Sequence, residues 1–316
     1  MSAAHIVLLG PQRPKPQAGA VLRALGVDGP VATITAGWQE WESDDEALRG
    51  ALGLETVPLH LYARAERVWA ADPELRAAHR QVQDDLRAVR ELYARQLARA
   101  GDTWIELLEA DGPERILGPE RDAALAAVRR LDAHHLARID GLQDEFRERF
   151  RPGERDTVAR ERAEIARALG SAGAVLVEGG HVAVLANRIG MFDLAHALTT
   201  EPLAARPLIG CAAGAMALCE RVVLFNDSPA IGRGHAEVGL RGLGLVPGVV
   251  VLPDARARLR LDDAARMRRL SLRLAPDRCA LLDPGDRLDW DGERLTGSGG
   301  RYIDLDGRVA GWERAA

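Results

Sequence analysis

The chain has 316 residues, 47% of them hydrophobic, which suffices for a substantial core and argues against a disordered chain. Its 42 basic residues are set against 47 acidic ones, for a formal charge of -5 and a pI near 6.0, and they form no basic stripe, so nucleic acid is not expected as a partner. No window reaches the ~18 uninterrupted apolar residues that cross a bilayer, so no membrane is expected either.

Lys15 is the only lysine, and the wealth of Ala, Arg and Gly reads as GC-rich bacterial coding rather than an arginine-specific function. The first residues run directly into the apolar stretch before Gly10, without a basic leader, so no signal peptide is expected. Cys211, Cys219 and Cys279 carry no CxxC spacing. Neither a disulfide framework nor a metal site is indicated, no cofactor is called for, and a reducing cytoplasm fits best.

In chain order, Ile6–Leu9 reads as an apolar strand ending in Gly10-Pro11, followed by a helix-like stretch and a second strand over 31–35 that ends at Ala36-Gly37. That alternation opens an α/β sheet. A short helix is expected over Glu46–Leu52 and a third strand over 59–62. From about 65 to 170 the pattern changes. Leu75, Ala78, Val82, Leu86, Val89 and Tyr93 recur at steps of three and four between charges, which predicts an amphipathic helix. A second stripe, with Leu125, Val128, Leu131, His135 and Ile139, follows Gly118-Pro119, where proline suits a first helical turn. A third helix is expected over 157–169. This region reads as a helical insertion on an α/β body, serving shape or self-association.

The α/β rhythm returns with a strand at Ala174–Val177, the turn Gly179-Gly180, a helix to about Ile189, a strand at 207–209 and a helix over 213–220. Strands over 222–225 and 249–252, a helix over 262–274 and a strand over 279–282 follow. Asp291-Gly292 and Asp306-Gly307 mark hairpin turns in the tail. The sequence therefore predicts a single α/β domain over 1–316, flavodoxin-like, with a mostly parallel sheet, helices on both faces, the helical insertion and a C-terminal β-hairpin region. Ligands of such sheets bind at the carboxyl ends of the strands.

The most informative stretch is Gly210-Cys211-Ala212-Ala213-Gly214, set between a strand and a helix. A strand, then Gly-x-x-x-Gly, then a helix is the pattern of a nucleophile elbow, whose middle residue projects its side chain while the next amide faces a developing oxyanion. The middle residue here is Ala212, which has no hydroxyl or thiol with which to attack a carbonyl.

This turn resembles the Gly-x-Ser-Ala-Gly-Ala elbow of peptidase E and cyanophycinase, a branch of the class I glutamine amidotransferase-like superfamily. Val177-Glu178-Gly179-Gly180-His181 resembles the Gly-Gly turn of the same branch, about 30 residues upstream. Residues 34–40 and 222–229 are similar to those of bacterial members. The resemblance implies a serine nucleophile, a histidine base on a later loop, and an oxyanion hole at Ala213 and the Gly179-Gly180 turn. Serine is replaced by Ala212, and the expected histidine, just past Pro253, is Asp254. A carboxyl group, with an ordinary pKa of about 3.9 against about 6.5 for imidazole, cannot relay a proton near neutral pH in its place. Asn226 is a second position where relatives can carry histidine.

Other polar residues are weighed singly. Cys211, one residue before the elbow centre, is the alternative nucleophile, against its reading as a small buried thiol. Cys219 and Cys279 read as core residues and Ser228 as a turn residue. His181 either meets a ligand carboxylate or caps its helix. Glu237 maps to the orienting acid of the family triad. His134 and His135 are adjacent, face different ways and form no two-ligand metal face. Gly239–Gly244 lacks the spacing of a nucleotide loop. Arg256, Arg258 and Arg260 form a surface run from which one guanidinium can meet a substrate carboxylate. The expectation is a non-catalytic or weakly active peptidase E-like protein binding a small peptide-like or acidic ligand. The alternatives are an active amide hydrolase using Cys211 or another group, and an assembly protein that forms homo-oligomers through the helical insertion.

Overall fold

The computed structural model describes residues 5–225 and 235–312. Strand β1 (Ile6–Leu9) leads to helix α1 (Ala18–Ala24), and β2 (Val31–Ile34) is followed by a 3-10 turn at Ala36–Trp41, α2 (Glu46–Leu52) and β3 (Thr56–Pro58). Four helices then run without an intervening strand: α3 (Leu61–Ala71), α4 (Pro73–Glu109), α5 (Glu114–Phe150) and α6 (Asp156–Ser171). The sheet resumes with β4 (Ala174–Val177), α7 (Val182–Met191), α8 (Leu194–Thr199), β5 (Leu208–Cys211) and α9 (Ala213–Leu218). Next come β6 (Arg221–Leu224), β7 (Glu237–Arg241), β8 (Val249–Pro253), α10 (Ala255–Arg258), α11 (Ala264–Leu274) and β9 (Arg278–Leu282). The tail adds β10 (Arg287–Trp290), β11 (Leu295–Ser298), β12 (Arg301–Ile303) and β13 (Val309–Gly311).

The central sheet has the order β11-β10-β1-β5-β4-β2-β3, parallel from β1 to β3, with β10 and β11 as an antiparallel edge. Leu9 lies opposite Cys211, Val177 opposite Gly210 and Ile34 opposite Val177, so β1, β5, β4 and β2 finish at one edge. Side chains alternate between two cores, as pleating requires. Val7, Leu9, Leu176 and Ile209 pack with α1 and Leu52, whereas Leu8, Ile34, Val175 and Val177 face the side covered by α3, α6, α7 and α9. Helices thus cover both faces. A second sheet, β13-β12-β9-β8, holds β8 and β9 in parallel, and β6 pairs with β7 as an antiparallel ribbon. Both Asp-Gly turns of the tail close antiparallel pairs, with Gly292 and Gly307 at positive φ as such turns need.

The long pair α4 and α5 buries Tyr93, Leu97, Trp104 and Val128 between them. A buried polar lock fastens this pair to the α/β body. Arg273 of α11 grips Asp132 of α5 through Nε at 2.8 Å and Nη2 at 2.7 Å. The same Nη2 donates to the Tyr93 hydroxyl at 2.9 Å, and Nη1 donates to the Ala236 carbonyl at 2.5 Å. The Tyr93 hydroxyl donates to Asp132 at 2.7 Å and accepts from the Val238 amide at 3.2 Å. Among the described residues, no helix is long and apolar enough to cross a membrane.

Two local expectations need correction. Residues 59–62 are not a strand: the third strand ends at Pro58, His60 adopts a left-handed backbone, and Leu61 already begins α3. The Glu42 carboxylate explains the early start, because it accepts from the Ala63 amide and satisfies a donor of the first turn. Helix α5 starts at Glu114, so Pro119 lies inside it rather than in its first turn. The missing N–H is tolerated where Arg121 braces the segment, donating to the carbonyls of Leu107 and Ala110 and pairing with Glu114. Residues 237–241 of the glycine-rich stretch, to which the sequence assigns no element, form β7, held by its ladder to β6.

Candidate active site

Four buried residues of β5 lead into Ala212, whose φ of 50° and ψ of −112° lie where residues with a Cβ rarely sit. The neighbouring glycines show why the chain turns so sharply. A Cβ on Gly214 would come within 2.0 Å of the Val177 carbonyl oxygen, and one on Gly210 within 2.8 Å of the Leu218 side chain. Helix and sheet cross too closely for either. The bend is pinned as the Ala212 amide donates to Leu9 O at 2.9 Å and its carbonyl accepts from Met216 N at 3.1 Å. Cys211 and Ala213 on either side are buried, whereas Ala212 is partly exposed. A methyl group therefore stands at the tip of the elbow.

The turn after β4 packs against that tip. A Cβ on Gly179 would lie 3.1 Å from the Ala212 Cβ, and Gly180 takes a φ of 110°. On the far side, a Cβ on Gly37 would meet Gly179 O at 2.6 Å, and the His181 amide donates to Gly37 O at 2.8 Å. The loops after β2, β4 and β5 are thus stacked shoulder to shoulder. Ala213, as first residue of α9, has an amide without an intrahelical acceptor. His181 is exposed and caps α7, its Nδ1 accepting from Val184 N at 3.3 Å.

Beneath the tip, Glu178 is buried, with one carboxylate oxygen accepting from the Gly179 amide at 3.2 Å. Burial pushes its pKa up, opposed by that bond and by the Cys211 thiol beside it. The Cys211 thiol is fully buried, and burial followed by the Glu178 charge pushes its pKa well above the ordinary thiol value. A thiol in this setting does not ionise readily, and nucleophilic attack needs the thiolate.

Asp254 follows β8 in a left-handed conformation (φ 56°, ψ 42°), and its amide donates to Leu282 O at 2.9 Å. A Cβ on Gly10, just past β1, would fall within 2.0 Å of Asp283 O, so the ends of β1 and β9 meet and Asp254 belongs to the same carboxyl-end edge. Beside it, the Arg256 amide donates to Asp283 at 3.0 Å, and Arg258 donates to Phe225 O at 3.0 Å while stacking on the Phe225 ring. Glu237 lies elsewhere in the network, on β7, where Arg90 of α4 holds it at 2.9 Å. Asn226 and Ser228 lie outside the described residues.

His135 is buried and stacked on Tyr93 with ring centroids 4.0 Å apart, whereas His134 is exposed. Cys219 is buried with its thiol on Ala215 O at 3.3 Å, and Cys279 is buried in β9. Two residues, one beneath the elbow and one in the loop after β2, show no sign of a role in sequence. Glu178 is one, although a lone acid between an apolar strand and Gly-Gly was a visible anomaly. Gln39, which shares the strained backbone of Ala212 with a φ of 59° and a ψ of −125°, offered no such sign.

These features define an α/β protein with a hydrolase-type strand–turn–helix elbow at the carboxyl edge of a mostly parallel sheet. Residues 149–277, which hold the Gly179-Gly180 turn, the elbow and Asp254, match the model of Peptidase family S51. The likeness is to that family and extends over this segment of the chain. No curated protein matches the chain in sequence. A solved structure of a peptidase from an acI-B1 Actinobacterium is similar at 13% identity and a TM-score of 0.47, covering 98% of this chain and 95% of that one.

Proposed function

We propose that this chain is a peptidase E-like protein that no longer hydrolyses and instead binds a small peptide-like or acidic ligand over the elbow. The observation that carries the reading is the methyl of Ala212 at the strained tip, where this class of site needs a hydroxyl or thiol. Asp254 supports it, because a carboxylate at the position where the resemblance implies the base cannot do the work of an imidazole at neutral pH. The burial of Cys211 weighs against the alternative of a thiol hydrolase. In this reading the amides of Ala213 and Gly180 receive a ligand carbonyl or carboxylate oxygen, while the Gly179 amide stays on Glu178 and His181 borders the same turn. A reducing cytoplasm suits the three free cysteines.

Calorimetric titration of the protein with the dipeptides Asp-Ala and Ala-Ala tests this directly. Saturable binding of at least one is expected, lost in Ala212→Leu, whose side chain fills the tip. No binding of either dipeptide, or binding indifferent to Ala212→Leu, sinks the reading.

A further inference from the structure

The loop that follows β2 repeats the geometry of the elbow. Gln39 and Ala212 occupy nearly the same uncommon backbone conformation, at φ 59°, ψ −125° and φ 50°, ψ −112°. Glycine normally takes this region, as at the first central position of a type II′ turn. A residue with a Cβ persists there only when its surroundings over-determine it, and such residues concentrate at ligand sites.

The surroundings of Gln39 do over-determine it. Upstream, the Gly37 carbonyl accepts from the His181 amide at 2.8 Å, and the Trp38 amide donates to Thr35 O at 2.8 Å. Downstream, the Glu42 amide donates to Gln39 O at 3.0 Å, while the Glu42 side chain, 1% exposed, accepts from Ala63 N at 3.0 Å on α3. The loop is thus nailed to α7 on one side and to α3 on the other.

Its place in the sheet is equally informative. The order β5-β4-β2 puts the Gly179-Gly180 turn between the two strained residues, and that turn touches both loops. Among the described residues the Gln39 carboxamide makes no hydrogen bond, although the residue is partly buried. Neither polar atom of that carboxamide is buried, so it is open to solvent and has its hydrogen-bonding capacity available to a ligand.

We infer that Gln39 is a recognition residue of the elbow site, its carboxamide pairing with the peptide group of a peptide-like ligand. This rests on the ligand-binding reading above. A carboxamide matches a peptide group because its NH2 donates to the ligand carbonyl while its oxygen accepts from the ligand N–H. The strained backbone is kept because it holds Gln39 in the loop that packs, through Gly37, on the Gly179-Gly180 turn.

The test compares the unmodified protein, Gln39→Ala, Gln39→Gly and Ala212→Leu in calorimetric titrations with Asp-Ala and Ala-Ala, together with thermal melts. Gln39→Ala, which keeps the Cβ but removes the carboxamide, is expected to weaken binding about tenfold, the loss of one or two hydrogen bonds, at an unchanged melting temperature. Gln39→Gly is expected to weaken binding at least as much and to melt higher, because the strain is relieved. Binding by both Gln39 variants within twofold of the unmodified protein, with Ala212→Leu still inactive, overturns the role of Gln39 and leaves the elbow site standing. Gln39→Gly melting lower overturns the account of strain held for function. Absence of binding in the unmodified protein removes the site and this inference together.

Discussion

The lock of Tyr93, Asp132 and Arg273 offers a perturbation whose size follows from the structure. In Asp132→Ala the Arg273 guanidinium, only 5% exposed, keeps the Ala236 carbonyl and the Tyr93 hydroxyl but loses its counter-charge. Removing one member of a buried ion pair costs about 3–5 kcal/mol, because the remaining charge stays desolvated. With a urea dependence of about 1–3 kcal/mol per molar, that is a fall in the unfolding midpoint of about 1 M or more. Replacing both partners at once, Asp132→Leu with Arg273→Met, removes the stranded charge and is expected to recover at least half of the loss. Urea unfolding followed by circular dichroism measures both variants. A loss below about 1 kcal/mol in Asp132→Ala, or a double variant no more stable than the single one, contradicts the view that this pair fastens the helical insertion to the sheet.

Two further outcomes are expected. Ala212→Gly should raise thermal stability by about 1 kcal/mol, since release of about 1–3 kcal/mol of backbone strain exceeds the about 0.5–1 kcal/mol of glycine entropy; a lower melting temperature would show that the elbow is not strained. His79, partly buried between Trp69 and Asn187, has its pKa lowered to about 4 by burial and by the Arg188 charge. Because the unfolded chain binds this proton more readily, its contribution is fully present above the ordinary histidine pKa of about 6.5 and is lost as pH falls toward about 4. The swing is up to about 3 kcal/mol at about 1.4 kcal/mol per pKa unit, so stability in His79→Gln should decline less steeply than in the unmodified protein between those limits. Parallel slopes for the two proteins in urea midpoints against pH would refute it.

Much of the frame was legible from residues alone, for identifiable reasons. The elbow was readable because close helix–sheet crossing demands glycine at 210 and 214, which leaves a pattern in the chain. The Gly-Gly turn was readable because adjoining loops press on it and Gly180 takes a positive φ, and the parallel strands because burial on both faces makes them continuous apolar runs. What stayed hidden depends on distant partners. Leu59 looks like a strand residue until Glu42 is seen capping α3. Pro119 looks like a helix start until Arg121 is seen bracing an earlier turn. The pairing of Glu237 with Arg90, 147 positions away, leaves no local trace. Gln39 is a plain polar residue in sequence, and only the backbone angles single it out.

The central claim is that the elbow carries no nucleophile. Incubating the unmodified protein and Ala212→Ser with Asp-Ala and following release of free aspartate tests it most directly. The account predicts no hydrolysis above the buffer rate by the unmodified protein and no efficient turnover by Ala212→Ser, whose restored hydroxyl still lacks an imidazole at position 254. Steady turnover by the unmodified protein would contradict it.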